Sequence, residues 1–297
     1  MTRLILQDQA AGLCNLVPYR KHDPARVFTI ASGKPRVGKT SIVVNLAAAL
    51  AQNGQRVLLI DENPCHNNIC TNLGLQARFD LLHVIRKDKR LDQVLLQGPE
   101  NISILSAMRG IHALSTLNPL EQDWLIKSFS ELIESIDIVL IDTAMTGTTH
   151  VLPLSLASEQ VMIVISSSAA SITGAYALIK IMNQEYAKQH FSILVNKTDS
   201  ETEALAIYQN LYKVARRYLS ITLEYAGYIP DDERLWNATQ LCKPVSEIFP
   251  SSQVAVCFRY VAQNVLRSLP DQSNGGVENF MQRLIVTSHL SMANFTV

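Results

Sequence analysis

Short apolar runs alternate along this chain with longer stretches in which apolar residues recur at helical spacing. The runs show no alternation of apolar and polar positions, which is typical of strands buried on both faces in a parallel sheet. Strands are predicted over residues 27–31, 56–60, 102–105, 138–141, 160–166 and 192–195. Helices are predicted over residues 40–53, 119–136, 172–186 and 201–218. The pattern therefore predicts an α/β fold with a doubly wound, mostly parallel sheet.

The same pattern divides the chain into three parts. Residues 1–25 are predicted to be an N-terminal arm that ends in a charged, proline-containing link. Residues 26–269 are predicted to form a single α/β domain, because strands and helices alternate through them. Residues 270–297 begin with Pro-Asp-Gln-Ser-Asn-Gly-Gly, a composition typical of a linker, and continue as an amphipathic C-terminal helix.

The C-terminal helix has one apolar face. Its members recur at helical spacing and are Val277, Phe280, Met281, Leu284 and Ile285. Two uses of this face are open, namely reversible contact with a membrane and docking on the domain's own surface. Arg283 is the only basic residue in this stretch, so anionic lipid would add little attraction.

Composition narrows the classes of function. The 297 residues carry 26 basic and 26 acidic side chains, so net charge gives no general attraction to nucleic acid or to an anionic bilayer. No specific nucleic-acid binding is expected. The five scattered cysteines fit a reduced, cytoplasmic protein, and the sequence shows no signal peptide and no apolar run of membrane-spanning length. We expect a cytoplasmic location, with peripheral contact at the inner face of the cell membrane as the alternative that the tail leaves open.

A phosphate-binding motif lies between the first predicted strand and the first predicted helix. Residues 33–40 read Gly-Lys-Pro-Arg-Val-Gly-Lys-Thr and match the pattern G-x-x-x-x-G-K-S/T in the setting that it requires. Backbone N–H groups of such a loop point at the phosphates, while Lys39 neutralises the terminal phosphates and the Thr40 hydroxyl holds Mg²⁺. The predicted phosphate contacts are Gly33, Val37, Gly38, Lys39, Thr40 and Ser41.

Two carboxylates end other predicted strands. Asp61 follows the apolar run Val-Leu-Leu-Ile, and Asp142 follows Ile-Val-Leu-Ile. The carboxyl ends of parallel strands are where open α/β sheets bind ligands, so both residues are candidates for holding Mg²⁺ beside the phosphate loop. Taken singly, each could instead be a helix-capping aspartate after a strand.

The chain resembles the deviant Walker A ATPases of the MinD/ParA family over roughly residues 26–265. The resemblance rests on Lys34, the extra lysine directly after the first glycine of the phosphate loop. It implies that ATP and Mg²⁺ are the cofactors, that two copies dimerise on them, and that Lys34 reaches the phosphates held by the other copy. It also implies that Asn196 contacts the base, with Pro230 and Asp231 in the next loop on the adenine side.

Within this family, three stretches look like the FlhG/FleN group, which regulates flagellar number and placement. Asn68 is followed six residues later by Gly74, as in that group. Residues 171–180 differ from the group's helix motif only at Gly174, where an aspartate is usual. The third stretch is Asp-Gln-Ala-Ala-Gly-Leu over residues 8–13, which is similar to the group's N-terminal arm.

The arm implies a partner. In the resembling group this segment stimulates GTP hydrolysis by an FlhF-type GTPase, so Asp8, Gln9 and Leu13 are expected to contact that protein. Cys14 stands where the group has an arginine, and an ordinary helix start with Asp8 in its first turn is the plain alternative. Flagellar switch or transcription proteins are the other partners that the resemblance implies.

Two departures from the family bear on hydrolysis. Pro35 and Arg36 replace two glycines of the phosphate loop, and the proline removes one N–H from the cradle. Asn63 matches the aspartate that orients the attacking water in the family, and an amide is a far weaker base than a carboxylate. We therefore expect catalysis to involve Lys34, Lys39, Asp61, Asn63 and Asp142, with slow hydrolysis.

The sequence thus predicts an ATP-dependent dimerising switch ATPase that acts on flagellar number or placement. A ParA-type partition ATPase is one alternative, although it needs a basic DNA-binding surface. A degenerate scaffold that binds ATP with little hydrolysis is the other.

Overall fold

The computed structural model describes residues 25–63, 68–133, 135–144, 153–268 and 277–293. The described residues build one eight-stranded sheet in the order β3-β4-β2-β5-β1-β6-β7-β8, and only β3 and β4 pair antiparallel. The strands are β1 (Arg26–Ala31), β2 (Val57–Asp61), β3 (Leu96–Gln97), β4 (Ile102–Ser106), β5 (Ile138–Asp142), β6 (Gln160–Ser166), β7 (His190–Thr198) and β8 (Thr222–Pro230).

Helices connect the strands and cover both faces of the sheet. In chain order they are α1 (Lys39–Gln52), α2 (Ile69–Asn72), α3 (Leu81–Ile85), α4 (Leu91–Val94), α5 (Met108–Ala113), α6 (Pro119–Ile133), α7 (Pro153–Ala157), α8 (Ala169–Tyr186), α9 (Glu201–Tyr218), α10 (Glu233–Gln240), α11 (Val245–Ile248), α12 (Gln253–Arg267) and α13 (Val277–Ala293). A 3₁₀ turn spans Leu114–Thr116. None of the described helices combines the length and the apolar character needed to cross a bilayer.

The central strands β1, β2, β5 and β6 are buried on both faces, as their apolar runs predict. In β2, Leu59 packs into the cluster formed with α1 and α12, whereas Leu58 and Ile60 pack into the cluster that includes α6, α7 and α13. A third cluster joins β6 and β7 to α8 and α9. Because each strand residue meets a covering helix, neither face needs polar positions. The predicted doubly wound α/β fold is confirmed.

The sequence pattern misses β8. This strand is at the edge of the sheet, and its residues switch between exposed and buried without a continuous apolar run. Helix α8 begins three residues before its predicted start. The reason is a capping interaction, since the Ser168 hydroxyl accepts a hydrogen bond from the Ser171 N–H at 3.3 Å.

The C-terminal helix docks on the domain. The side chains of Phe280, Met281, Leu284 and Ile285 are each at most 4% exposed, and α13 packs against α6 and α7. Arg283 Nε also donates to the Ala157 carbonyl at 2.9 Å. The docked alternative is therefore the one observed, and in this arrangement the apolar face is covered and does not meet a bilayer. The arm residues Asp8, Gln9 and Leu13 and the linker 270–276 lie outside the described residues.

Candidate nucleotide site

The phosphate loop runs from the end of β1 to the start of α1, at the carboxyl edge of the sheet. Gly38 precedes the helix with φ of 91°, in the left-handed region that favours glycine. A Cβ at this residue would meet Asn196 Nδ2. The free N–H groups of the first turn of α1, which includes Lys39, Thr40 and Ser41, are the donors that a phosphate needs.

Two residues at the end of β7 donate hydrogen bonds to backbone carbonyls of the phosphate loop. Asn196 Nδ2 donates to the Val37 carbonyl at 2.7 Å, and Lys197 Nζ donates to the Arg36 carbonyl at 3.3 Å. Val37 is itself buried. The backbone of the loop is thus fixed before any nucleotide binds, which lowers the ordering cost of binding.

Lys39 is held beside β5. Its Nζ donates to the Thr143 carbonyl and to Thr143 Oγ1 at 3.2 Å, and it is 3.6 Å from Asp142 Oδ1. Thr143 was not identified from the sequence, although it directly follows the Asp142 that was. The lysine is thereby positioned at the mouth of the loop by two consecutive residues of one strand end.

Thr40, Asp142 and Asn63 form a second set of contacts. Thr40 Oγ1 donates to Asp142 Oδ2 at 2.6 Å, and Asn63 Nδ2 donates to Thr40 Oγ1 at 3.4 Å. Asp142 is fully buried, and burial raises its pKa while the Lys39 charge opposes the shift. Its Oδ1 accepts no hydrogen bond within the described part of the chain.

Asp61 lies next to Asp142 in the register of β2 and β5. Its two carboxylate oxygens accept backbone N–H groups of the following segment, from Asn63 at 2.9 Å and from Ile69 at 2.9 Å. Burial and the neighbouring Asp142 raise the pKa of Asp61 to about 7. In this structure Asp61 organises the residues that follow β2, and each oxygen keeps a second lone pair for a water molecule.

Glu62 is a buried carboxyl group that the sequence analysis missed. It is 4% exposed, its Oε2 accepts from the Ala144 N–H at 3.1 Å, and its own N–H donates to the Asp142 carbonyl at 3.0 Å. Burial raises its pKa to about 8. Because neighbouring side chains leave a strand end in opposite directions, Glu62 joins β2 to β5 whereas Asn63 contacts Thr40. Glu62 therefore does not take the place of the missing aspartate at residue 63.

The adenine-side residues come together at the ends of β7 and β8. Thr198 pairs with Pro230 in the sheet register, and the Asp231 N–H donates to the Thr198 carbonyl at 3.2 Å. Asn196 Oδ1 is buried and accepts no hydrogen bond within the described residues. An unoccupied acceptor at this place suits the exocyclic amine of adenine.

Lys34 lies on the outer rim of the loop. It lines an open groove of about 540 Å³ together with Pro35, Arg36, Val37, Ser166 and Ser168. The neighbouring Gly33 packs backbone to backbone on Gly174 of α8. The structure thus brings the predicted phosphate, metal and base residues to one edge of the sheet, and Lys34 lines the groove beside them.

The residues present fit a Mg²⁺-nucleotide. The donor-rich loop and Lys39 suit phosphates, and Thr40 with Asp142 supplies the oxygen ligands that Mg²⁺ prefers. Within the described residues, Asp142 Oδ1 and Asn196 Oδ1 are buried and accept no hydrogen bond, so a metal-bound water and a base could each donate to one of them. Thr40 and Asp142 would hold the ion, Asp142 through a metal-bound water, with Asp61 beside them.

The chain is similar in sequence to known proteins. A family model described as an AAA domain matches residues 25–194. The antiactivator FleN of Pseudomonas aeruginosa is 36% identical over 263 residues, covering 88% of this chain and 94% of FleN. The flagellum site-determining protein YlxH of Helicobacter pylori is 26% identical over 293 residues, covering 94% of this chain and 99% of YlxH.

The fold has close counterparts among solved structures. The septum site-determining protein MinD of Pyrococcus horikoshii, complexed with Mg-ADP, matches with a TM-score of 0.62 and 20% identity, over 82% of this chain and 96% of that one. Likeness at this identity shows a shared fold, whereas the FleN match covers nearly the whole length of both sequences. The chain belongs to the MinD/ParA family of P-loop ATPases and, within it, is an FlhG/FleN-like protein.

Proposed function

We propose that this chain is an ATP-dependent switch that regulates the number or placement of flagella. The observation that carries the proposal is the near full-length similarity to FleN and to the flagellum site-determining YlxH, and the contact between Thr40 of the phosphate-loop motif and Asp142 supports it. ATP hydrolysis to ADP and phosphate is the proposed reaction. Partner proteins would read which nucleotide is bound.

The residues of the site have separate tasks in this proposal. The loop N–H groups and Lys39 bind the phosphates, and Thr40 and Asp142 orient the metal ion. When bound, Mg²⁺ neutralises charge on the phosphates and polarises the terminal one. Asn63, hydrogen-bonded to the same Thr40 hydroxyl, is placed to hold a water molecule, but its amide removes a proton poorly. Hydrolysis is accordingly slow.

Dimerisation is the proposed output of ATP binding. Lys34 is half-buried and lines an open groove that does not include Lys39 or Asp142, and in this proposal it meets a phosphate held by a second copy of the chain. We expect light scattering to show a shift from monomer to dimer with ATP and Mg²⁺ but not with ADP. Lys39→Ala should remain monomeric, whereas the matched control Lys213→Ala, which removes an exposed lysine of α9, should dimerise normally. A Lys39→Ala protein that still dimerises with ATP would contradict the mechanism.

The N-terminal arm is the proposed contact for an FlhF-type GTPase. Gln9 has an amide that can both donate and accept hydrogen bonds, as a residue that orients water in a GTPase site must. A peptide of residues 1–20 should accelerate GTP turnover by that GTPase, and Gln9→Ala in the peptide should abolish the effect. If the peptide has no effect at high concentration, the arm is not the GTPase contact.

One observation favours a second candidate, a scaffold that binds ATP with little turnover. Asn63 donates to Thr40, so its amide group is already engaged with a metal-site hydroxyl. Under this proposal ATP-dependent dimerisation persists while phosphate release is undetectable. Measuring both properties on one preparation separates the two candidates.

A further inference from the structure

The tip of the phosphate loop carries an exposed arginine in an unfavourable backbone conformation. Arg36 has φ of 62°, in the left-handed region where a residue with a Cβ is about 1–2 kcal/mol less stable than in its ordinary conformations. Glycine adopts this conformation without that cost, so the arginine at residue 36 makes the loop locally less stable than a glycine would. Such strain is concentrated at functional sites, so the Arg36 side chain is a candidate for a functional contact.

The backbone around Arg36 is fixed so that its side chain points outward. Lys197 Nζ holds the Arg36 carbonyl, and Asn196 Nδ2 holds the carbonyl of the next residue, Val37. Both anchors come from the end of β7, on the inner side of the loop. Among the described residues, the guanidinium group has no ion pair or hydrogen-bond partner, and the residue is exposed.

Arg36 and Lys34 line the same groove. Besides Pro35 and Val37, the described residues that line it are Ser166, which ends β6, and Ser168, which caps the start of α8. Lys39, Thr40 and Asp142 of the chain's own candidate nucleotide site are not among them. The described part of the groove therefore presents two positive charges and no acidic side chain, which suits an anion that arrives from outside the protomer.

We propose that Arg36 is a second cation that contacts, together with Lys34, the phosphates bound to a second copy of this chain. The inference rests on the ATP-dependent dimer proposed above. In a two-fold dimer both copies use the same surface. The Arg36 of each protomer would therefore contact the nucleotide bound to the other protomer.

The chemistry of the Arg36 and Lys34 side chains suits a phosphate group. The guanidinium is a planar group with several donors that match paired phosphate oxygens, whereas Lys34 provides a compact point charge. The two side chains thus bind different oxygens without competing. An arginine supplied by a partner stabilises transferring phosphoryl groups in other P-loop proteins, and here it would stabilise the ATP-bound dimer.

The test compares dimerisation with nucleotide binding inside one protomer. The dimer dissociation constant is measured with ATP and Mg²⁺ by sedimentation, and ADP affinity is measured by calorimetry on the monomer. The variants are Arg36→Ala, which keeps the Cβ and its backbone strain, Arg36→Lys, and the control Arg86→Ala, which removes an exposed arginine at the end of α3. Lys34→Ala is measured beside them as the reference for a weakened dimer.

We expect Arg36→Ala to raise the dimer dissociation constant at least about tenfold, because each dimer loses two charge-assisted contacts. Arg36→Lys should lie between it and the wild type, and Arg86→Ala should match the wild type. ADP affinity should stay within about twofold for all three.

Three results would overturn the inference. An unchanged dimer constant in Arg36→Ala, alongside a weakened dimer in Lys34→Ala, removes only the role of Arg36 and leaves the proposed function standing. If Arg36→Ala loses as much ADP affinity as dimer affinity, Arg36 contacts the nucleotide of its own protomer. A wild-type protein that stays monomeric in ATP overturns both this inference and the proposed dimeric switch.

Discussion

Gly33 and Gly174 lie against each other backbone to backbone. A Cβ on either glycine would come closer than 3.0 Å to main-chain atoms of the other, a distance that real Cβ atoms do not show. The first residue of the phosphate loop is thus seated directly on the first turns of α8. Any side chain at residue 174, including the aspartate that is usual in the resembling group, must push the loop away from the helix.

Gly174→Ala is therefore expected to weaken ADP binding about tenfold, because overpacking at a fixed contact costs about 1–3 kcal/mol. Alanine is the better helix former, so the melting temperature is a poor reporter, and calorimetric ADP affinity is the measurement. Thr173→Ala, at the neighbouring exposed residue, is the control and should bind like the wild type. Wild-type affinity in Gly174→Ala would mean that the contact does not position the loop.

Asn63→Asp should speed ATP hydrolysis by at least about tenfold, since it restores a carboxylate where general-base catalysis is worth about 10²–10⁴-fold. Steady-state phosphate release is the measurement. Asn68→Asp is the matched control, because Asn68 Oδ1 caps α2 by accepting the Thr71 N–H and an aspartate can do the same. An unchanged or lower rate in Asn63→Asp would mean that residue 63 is not beside the attacking water.

The nucleotide-free protein should lose stability as pH rises. Burial raises the pKa of Glu62 from 4.5 to about 8, so the folded state binds a proton that the unfolded state has released. The resulting stability is full below about pH 4.5 and is lost as pH rises through about 8. With chelator present, the melting temperature should fall by several degrees between about pH 6 and about pH 9.

Glu62→Gln should flatten this decline, because an amide can accept the Ala144 N–H without titrating. Asp61, with a pKa of about 7, should account for the part that persists. Glu131→Gln, at an exposed residue of α6, should follow the wild-type curve. An identical slope in wild type and Glu62→Gln would show that Glu62 ionises normally.

The docked α13 gives a prediction about stability. Phe280→Ser with Leu284→Ser should lower the melting temperature markedly, since burying each side chain is worth about 1.5–3 kcal/mol. Val286→Ser, on the same helix but 60% exposed, should have little effect. If neither variant changes the melting temperature, α13 is not docked in solution.

A liposome assay tests the membrane alternative. The docked helix predicts no co-sedimentation of the intact protein with liposomes, whether ADP or ATP is bound. Co-sedimentation that needs ATP and is lost in the Phe280→Ser, Leu284→Ser variant would restore the membrane role.

The sequence alone determined the fold class and pointed to most residues of the candidate nucleotide site. A buried parallel strand is a continuous apolar run, and a phosphate loop is a fixed local pattern, so both are readable without tertiary contacts. The pattern thus identified Lys39, Thr40 and Asp142. In the structure the Asp142 carboxylate contacts both Thr40 Oγ1, at 2.6 Å, and Lys39 Nζ, at 3.6 Å. Asp61 was identified as a strand-end carboxylate for the same reason.

Other features depended on residues far apart in the chain. The sequence showed Gly174 only as a departure from a motif. Its backbone contact with Gly33, which is 141 positions earlier in the chain, is visible only in the tertiary structure. The use of the C-terminal apolar face was open because helical periodicity defines a face and not what covers it. Packing against α6 and α7 decided that question. The direction of Glu62, toward Ala144 and away from Thr40, likewise depends on where β2 ends beside β5, which no local pattern specifies.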